Sequence, residues 1–296
     1  MSFELEQRMY DELRAMCMET YKNMTSLPVN KMFERLMKKE DLPIHCPYHH
    51  YLLPAAILTQ IAISERRKKD ELETWLDITE ERGKTVPGGF CGNCGSCGAG
   101  IGMGIAAAVY TGSSPLATEV WQIANEVTGR SLVAISKYPG PRCCKRTAYL
   151  AASEAIPYLN EKLGLKLEID EDIKCRFSHM NAECLTSDCP FFDGDHSKKA
   201  EDIPIVVGEG QLPKPEPGND CKCMHEIIDF TKTRGLVKWL VEEGAEVTEG
   251  QVICEGEINK KVVEFTAPAS GILALRNVDD KEVFTAGTIL GYIRPE

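Results

Sequence analysis

The stretch EINKKVVEFTAPASG, residues 257–271, decides the fold of the carboxy-terminal part of this chain. Two β-rich runs, one ending at Ile258 and one beginning at Val262, are separated by an asparagine and two lysines. Valine, isoleucine and phenylalanine favour strands, whereas asparagine favours tight turns. The stretch therefore predicts a hairpin whose turn carries a lysine.

Similar short β-rich runs continue on both sides of this stretch, without helical periodicity. They lie at residues 227–230, 236–241, 252–255, 262–266, 272–275 and 289–293. Glycine turns separate them, which is typical of a small sandwich or barrel. A weak repeat relates two sets of residues: Gly235, Val247, Gly250 and Gly271, Val283, Gly287. Residues 223–296 thus predict an all-β domain made of two similar halves.

The turn E-I-N-K, followed by A-P-A-S-G at residues 267–271, resembles the modified turn of lipoyl (biotinyl/lipoyl attachment) domains. Upstream E-E-G and E-G-Q segments agree with that family. The resemblance implies a flattened β-barrel with lipoate on Lys260, and a lipoate ligase or transferase as partner. It implies that the ligase reads three further positions: Glu257, Glu264 and Gly244. The A-M-K-M turn of biotin domains is absent.

Two positions depart from the lipoyl pattern. Asn259 stands where the family has an acidic residue, and Lys261 stands where it has a small one. The register of the turn favours Lys260 over Lys261 as the modified residue. The alternative is an unmodified barrel that serves only as a structural module.

The most specific segment elsewhere is GGFCGNCGSCGAGIG, residues 88–102. Cys91, Cys94 and Cys97 have the C-x2-C-x2-C spacing that can wrap one face of a [4Fe–4S] cluster. The glycines permit positive φ values and expose backbone N–H groups to sulfur. Cys46, in C-P-Y-H-H, is the first candidate for the fourth ligand. Zinc, or a redox-active Cys91/Cys94 dithiol alone, is the alternative.

A second group of cysteines begins with the adjacent Cys143 and Cys144. Three basic residues flank them: Arg142, Lys145 and Arg146. Nearby cations lower the pKa of a thiol and attract anionic groups. We therefore predict that Cys143 or Cys144, activated by Arg142 and its neighbours, exchanges with a disulfide.

Cys175, Cys184 and Cys189 follow in a C-x8-C-x4-C-P pattern. A terminal Cys-Pro recurs in cluster-binding runs. With Cys143 or Cys144, these cysteines predict a second metal centre. The alternative is that some of them are small buried apolar side chains.

Other cysteines and histidines are less informative. For His49 and His50, helix capping or proton transfer is favoured over metal ligation, and His50 is a candidate catalytic residue. Cys17 lies on an amphipathic helix and is expected in the core. Cys221 and Cys223 can pair reversibly.

Residues 40–191 also resemble an uncharacterised cysteine-rich family of bacteria and archaea. The resemblance rests on four patterns: C-P-x-H-H, G-x-C-G-x-C-G-x-C-G-A-x-x-G, G-P-R-C-C-K and C-x8-C-x4-C-P. The family brings no established activity with it. Its fusion to a lipoyl-type module is therefore the best functional indication in the sequence.

The chain as a whole predicts a multidomain protein. Apolar spacings of three and four predict helices at residues 3–24, 29–39, 51–79, 105–110, 116–128 and 147–163. Two short strand-like pieces, 132–136 and 166–169, can pair. Residues 1–191 thus predict a mainly α (α+β), cysteine-rich, iron–sulfur domain. Residues 192–222, rich in proline, glycine and charge, predict a linker in which one strand can dock.

Composition narrows the class of protein further. The 296 residues include 45 acidic and 34 basic side chains, which argues against a nucleic-acid partner. No apolar run approaches the ~20 residues that span a bilayer, and the first residues do not form a secretory signal. The 13 cysteines are an odd number and are clustered. A cytoplasmic protein is expected, with cysteines as metal ligands or reactive thiols.

Together these patterns favour an iron–sulfur redox or sulfur-transfer enzyme, an oxidoreductase or a sulfur transferase. A lipoyl arm on Lys260 would carry electrons or sulfur to a cluster on the cysteine domain, and a redox or sulfur-transfer protein would be its partner. The alternative is a non-catalytic lipoyl carrier with a metal-stabilised docking domain. A third hypothesis is a metal sensor or metal-trafficking protein with an unmodified barrel. The sequence does not identify the substrate.

Overall fold

The computed structural model describes residues 6–39, 41–194, 202–208, 235–258 and 261–295. The chain divides into two compact units, Met1–Asp195 and His196–Glu296, and each is described by itself. Several sequence predictions lie outside the described residues: Asn259, Lys260, Cys221, Cys223 and the strand at 227–230.

Eight α-helices form the described part of the first unit. They are α1 (Gln7–Lys22), α2 (Val29–Met37), α3 (His49–Ser64), α4 (Lys69–Lys84), α5 (Phe90–Asn93), α6 (Gly98–Thr111), α7 (Glu119–Ser136) and α8 (Cys144–Leu163). The prediction of a mainly helical amino-terminal domain is confirmed. None of the helices within the described residues is long and apolar enough to cross a membrane.

Two details of the prediction are wrong. Residues 132–136 belong to α7, and residues 166–169 form no strand. The buried residues of α7 are Val127, Ser131 and Ala134, at the spacing of one helix face. A short apolar run cannot by itself distinguish a strand from the end of a helix.

Helix α3 is the centre of this unit, and nearly all of its side chains are buried. Helix α6 packs against α3 and α7 through glycines. A Cβ atom on Gly104 would lie 2.0 Å from Thr128 Oγ1 and 3.0 Å from the Ala124 carbonyl oxygen. Glycine at this position therefore lets α6 and α7 approach closely.

The segment after α8 has little regular structure. It contains two 3-10 turns, Ser178–Met180 and Thr186–Asp188, and a single bridge between Cys175 and Phe192. Asn30 holds its beginning, because the side-chain amide of Asn30 donates to Asp170 Oδ2 at 2.9 Å. The loop contains three of the predicted metal-ligating cysteines.

The second unit contains two four-stranded antiparallel sheets, ordered β1-β8-β6-β3 and β5-β4-β2-β7. The strands are β1 (Ile203–Val206), β2 (Gly235–Trp239), β3 (Glu246–Val247), β4 (Val252–Ile258), β5 (Lys261–Thr266), β6 (Gly271–Arg276), β7 (Val283–Phe284) and β8 (Ile289–Pro295). Their apolar side chains face each other in one core. The predicted all-β barrel is confirmed.

The repeat seen in the sequence corresponds to an exchange of strands. The short strand β3 of the first half pairs with β6, and the short strand β7 of the second half pairs with β2. Each half therefore completes the sheet of the other.

Strand β1 comes from the stretch predicted as a linker, and it pairs with β8. The side chain of Asp202, just before β1, is fully buried and forms an ion pair with Arg294, with Oδ1 3.0 Å from Nε. Part of the stretch predicted as a linker thus belongs to the barrel.

Candidate functional site

The hairpin predicted to carry the modified lysine is formed by β4 and β5. Its register pairs Ile258 with Lys261. The chain passes from one strand to the other over Asn259 and Lys260. Ile258 is fully buried, so the described end of the hairpin is anchored in the barrel core.

The three positions assigned to ligase recognition lie on the surface of the barrel. Glu257 on β4 and Glu264 on β5 are exposed. Gly244 is also exposed, has a φ of 87°, and donates its N–H to the Leu273 carbonyl oxygen at 2.8 Å. The left-handed φ explains why glycine suits this turn.

In the first unit, an open cleft with a volume of about 630 Å³ lies beside the C-x2-C-x2-C loop. Cys91, Cys97, Cys143 and Cys144 are among its lining residues, which also include Arg142. Cys91 and Cys94 are exposed. We call this feature the open cleft.

Cys97 is the N-cap residue of α6, which begins at Gly98, earlier than the start at residue 105 that the sequence predicted. Burial raises the pKa of the Cys97 thiol, while hydrogen bonds from the Ala99 and Gly100 backbone and from Thr147 act to lower it. Such N–H donors stabilise a thiolate more than a thiol. Burial outweighs these hydrogen bonds, so the pKa of Cys97 lies above its usual value although the thiol is at a helix N-terminus.

Cys144 does not behave as its basic flanks predict. Burial raises its pKa to about 12 and outweighs the attraction of Lys145. Its backbone N–H lies 3.4 Å from His45 Nδ1, and the Cys46 backbone forms a hydrogen bond to its thiol. The predicted lowering of the pKa is therefore wrong for Cys144.

Cys46, the first candidate for the fourth cluster ligand, does not line the open cleft. Its sulfur lies 3.3 Å from the Pro43 carbonyl oxygen and 3.3 Å from His49 Nδ1. Burial raises its pKa to about 11. It is close enough to Cys144 to raise the pKa of that thiol, but only Cys144 of the two lines the open cleft.

A buried cation, Lys145, lies among these thiols and is only 1% exposed. Its Nζ donates to His49 Nε2 at 2.8 Å and lies 4.9 Å from the centre of the Phe177 ring. Burial lowers its pKa to about 8. Four thiols oppose that shift: Cys144, Cys46, Cys143 and Cys175.

The histidines that follow Cys46 have structural contacts. His49 is fully buried and its pKa is well below the usual value, because of burial and of Lys145. As it accepts from Lys145, its Nδ1–H donates to the Cys46 carbonyl oxygen at 3.0 Å. His50 Nδ1 lies 2.9 Å from the Val86 carbonyl oxygen. His50, predicted as catalytic, does not line the open cleft.

Cys143 faces a second, much smaller cavity of about 10 Å³. Three other cysteines line it: Cys175, Cys184 and Cys189. We call this feature the four-cysteine cavity. Among the described residues, no group of three or more cysteine, histidine, aspartate or glutamate side chains is arranged so that it could hold a metal ion as it stands.

The predicted site residues therefore separate into two thiol groups. Cys91, Cys97 and Cys144 line only the open cleft, whereas Cys143 lines both the open cleft and the four-cysteine cavity. Sequence reasoning missed Lys145 as a buried charge between the groups, and it missed Asn181, whose amide lies 3.6 Å from Cys143 Sγ. The basic run R-C-C-K-R was the only signal for Lys145, and no signal indicated Asn181.

Comparisons with known families agree with the division of the chain into two domains. The model of the family of unknown function DUF5714 matches residues 14–192, and the chain belongs to that family. A second family model, described as "Biotin-requiring enzyme", matches residues 224–293. Both predicted resemblances are confirmed, and the second unit is a carrier domain of the biotinyl/lipoyl type. No curated protein matches the chain.

Proposed function

We propose that this protein is a lipoyl-carrying redox or sulfur-transfer protein whose amino-terminal domain holds an iron–sulfur cluster in the open cleft. The observation that carries the proposal is the placement of Cys91 and Cys97 with Cys144 on a large, open cleft. An open position beside thiolate ligands is what a reactive metal site requires, since structural sites are closed.

The residues of the open cleft fit an iron–sulfur cluster by the chemistry of their donors. Cys91 is exposed and lines the cleft, whereas Cys94 is exposed on the same loop but does not line it. Cys97 receives backbone N–H groups that stabilise a thiolate. Cys144 offers a further thiol at the cleft, and Cys46, whose backbone forms a hydrogen bond to the Cys144 thiol, offers another. When bound there, a cluster would supply one-electron chemistry, or an iron atom to which a substrate sulfur atom can bind.

The second unit fits lipoate at Lys260. The β4–β5 hairpin, exposed Glu257 and Glu264, and the absence of a biotin-type turn support a lipoyl group there. When bound, lipoate would supply a dithiolane that accepts two electrons and two protons and becomes a dithiol. Arg142 at the open cleft would attract an anionic substrate or thiolate by its charge.

Anaerobic purification of the full chain tests the cluster. We expect iron and sulfide in the protein with a brown ultraviolet–visible spectrum, and we expect Cys91→Ser to lose the sulfide and the iron bound to it. Cys17→Ala is the matched control, because Cys17 is buried in the same unit and lines neither cavity. A colourless protein that is lipoylated and contains only zinc would instead support the carrier hypothesis.

Intact mass tests the attachment site on the same sample. Lipoylation through an amide adds about 188 Da to the chain, a covalent change that removes a lysine charge. Lys260→Ala should lose this mass, and the neighbouring Lys261→Ala should keep it. Loss only in Lys261→Ala would contradict the assignment of Lys260.

A pair of variants identifies the fourth ligand. If Cys144 completes the cluster, Cys144→Ala loses iron and Cys46→Ala retains it. If Cys46 completes the cluster, the reverse holds. If neither variant loses iron, three cysteines hold the cluster, and one iron is open to a substrate sulfur atom.

A further inference from the structure

The four-cysteine cavity differs from the open cleft in size. Its volume of about 10 Å³ is close to the space that one water molecule needs, roughly 10–15 Å³. An iron–sulfur cube does not fit such a space, but one metal ion does. Four thiols around room for one ion is the donor set of a tetrahedral zinc or iron site.

Backbone N–H groups already point at the sulfurs of this cavity. The N–H of Phe177 lies 3.4 Å from Cys175 Sγ, and the N–H of Thr186 lies 3.4 Å from Cys184 Sγ. Each donor lies two residues after its cysteine, and Phe191 provides the equivalent backbone bond for Cys189. Three short loops therefore have the same local geometry, which stabilises thiolates.

The fourth cysteine, Cys143, is held in a similar way from the helix. It is the N-cap of α8 and accepts the N–H of Arg146 at 3.4 Å. The side-chain amide of Asn181 lies 3.6 Å from the same sulfur, while Asn181 Oδ1 lies 2.9 Å from His45 Nε2. Partners of this kind orient metal ligands.

Two buried cations lie beside the cavity. Lys145 is 1% exposed and Arg146 is 5% exposed, and both line the cavity. The hydrogen bond of Lys145 goes to the neutral His49, and within the described residues its only ring contact is Phe177. A buried cation needs a compensating anion. Thiolates on a divalent ion, with a net charge of −2, would provide it.

We propose that Cys143, Cys175, Cys184 and Cys189 bind one thiophilic metal ion, zinc or iron, in a structural site separate from the open cleft. On binding, each thiol loses its proton to solvent and each sulfur donates an electron pair to the ion. Rotation about the one side-chain bond of each cysteine closes the sulfurs onto the ion. The ion then fixes the irregular segment after α8, and Cys143 and Cys144 serve different sites.

Metal analysis of the full chain tests this site independently of the proposed function. Cys184→Ser and Cys189→Ser should each lose one metal equivalent per chain without loss of sulfide. Cys17→Ala, the matched control, should lose none, and Cys91→Ser should lose sulfide but retain one ion. A protein without any sulfide that still holds this ion would overturn the cluster and keep the four-cysteine site.

X-ray absorption at the zinc edge, on zinc-reconstituted Cys91→Ser protein, decides the case even if the Cys184→Ser and Cys189→Ser variants do not fold. We expect an ion with four sulfur neighbours at about 2.3 Å and no metal neighbour, in zinc-reconstituted protein whose cleft has been blocked by Cys91→Ser. Nitrogen or oxygen ligands, or unchanged metal content in soluble Cys184→Ser, would overturn the proposal. The edge that shows the signal in protein as purified identifies the metal.

Discussion

Two groups of thiols meet at the first residues of α8, and they differ in almost every physical respect. The open cleft has exposed cysteines on a glycine-rich loop and a volume of about 630 Å³. The four-cysteine cavity encloses about 10 Å³ and is lined by hydrogen-bonded sulfurs and buried cations. The difference indicates two roles, because reactive metal sites keep an open position and structural sites do not.

The two thiol groups meet at the adjacent cysteines Cys143 and Cys144. Cys143 is buried and lines both cavities, whereas Cys144 lines only the open cleft. Lys145 lies between them and is near thiols of both groups. A change of charge in one thiol group therefore alters the electrostatic environment of Lys145, which is also near the other group.

Alkylation gives the largest expected effect, with Cys17 as the reference for burial alone. Burial raises the pKa of Cys17 to about 12, so its reactive thiolate is scarce at pH 8. Its alkylation should be about a thousandfold slower than that of a free cysteine, and should rise tenfold per pH unit up to pH 11. Peptide mass spectrometry measures these rates.

The same experiment separates the four-cysteine cavity from a simple apolar core. A chelator should increase alkylation of Cys175, Cys184 and Cys189 and leave Cys17 unchanged. If the alkylation rates of these three cysteines depend on pH as that of Cys17 does, and the chelator does not change them, the cysteines are ordinary core residues. The contrast between the two thiol groups is then lost.

Removal of the ion should have the next largest effect, on stability. A ligand at a thousand times its Kd stabilises the folded state by about 4 kcal/mol. Chelation should lower the free energy of unfolding by at least that amount, as measured by urea denaturation and circular dichroism. The chelator should have no such effect on Cys184→Ser, which lacks a ligand from the start.

A smaller effect is expected at the start of α6. A Cβ atom on Gly98 would lie 2.0 Å from His50 Cδ2, whereas a Cβ atom on Gly92 meets nothing within 4 Å. Gly98→Ala should cost about 1–3 kcal/mol by overpacking, and Gly92→Ala should be nearly neutral. Thermal unfolding measures both. Equal effects would show that the α6 terminus does not depend on His50.

The smallest effect is electrostatic and concerns Arg142, at the open cleft. Arg142→Ala should slow the reaction of the protein with an anionic dithiol a few-fold at low salt, and the difference should vanish at high salt. Stopped-flow absorbance measures the rate. Lys22→Ala, an exposed cation on α1, is the control and should match the wild type. A decrease in rate that does not depend on salt would indicate that Arg142 contacts the dithiol directly, instead of attracting it by long-range electrostatics.

The sequence alone determined the division into a helical, cysteine-rich part and a barrel of the biotinyl/lipoyl type. The helical periodicity of apolar residues predicts the first part, and short β-rich runs separated by glycine turns predict the second. Both are local patterns, so the sequence shows them directly. It also identified the cysteines and the interval that holds Lys260. Residues 132–136 were misread because a short apolar run has no clear period.

Only the tertiary structure decided which cysteines are neighbours. Cys143 and Cys144 are adjacent in the chain, yet Cys143 lines both cavities and Cys144 lines only the open cleft, while Cys46 lines neither cavity. The pKa of Cys144 also depended on burial, which outweighs the charges that flank it in sequence. Both outcomes depend on desolvation and on contacts between residues far apart in the chain, which no local pattern encodes.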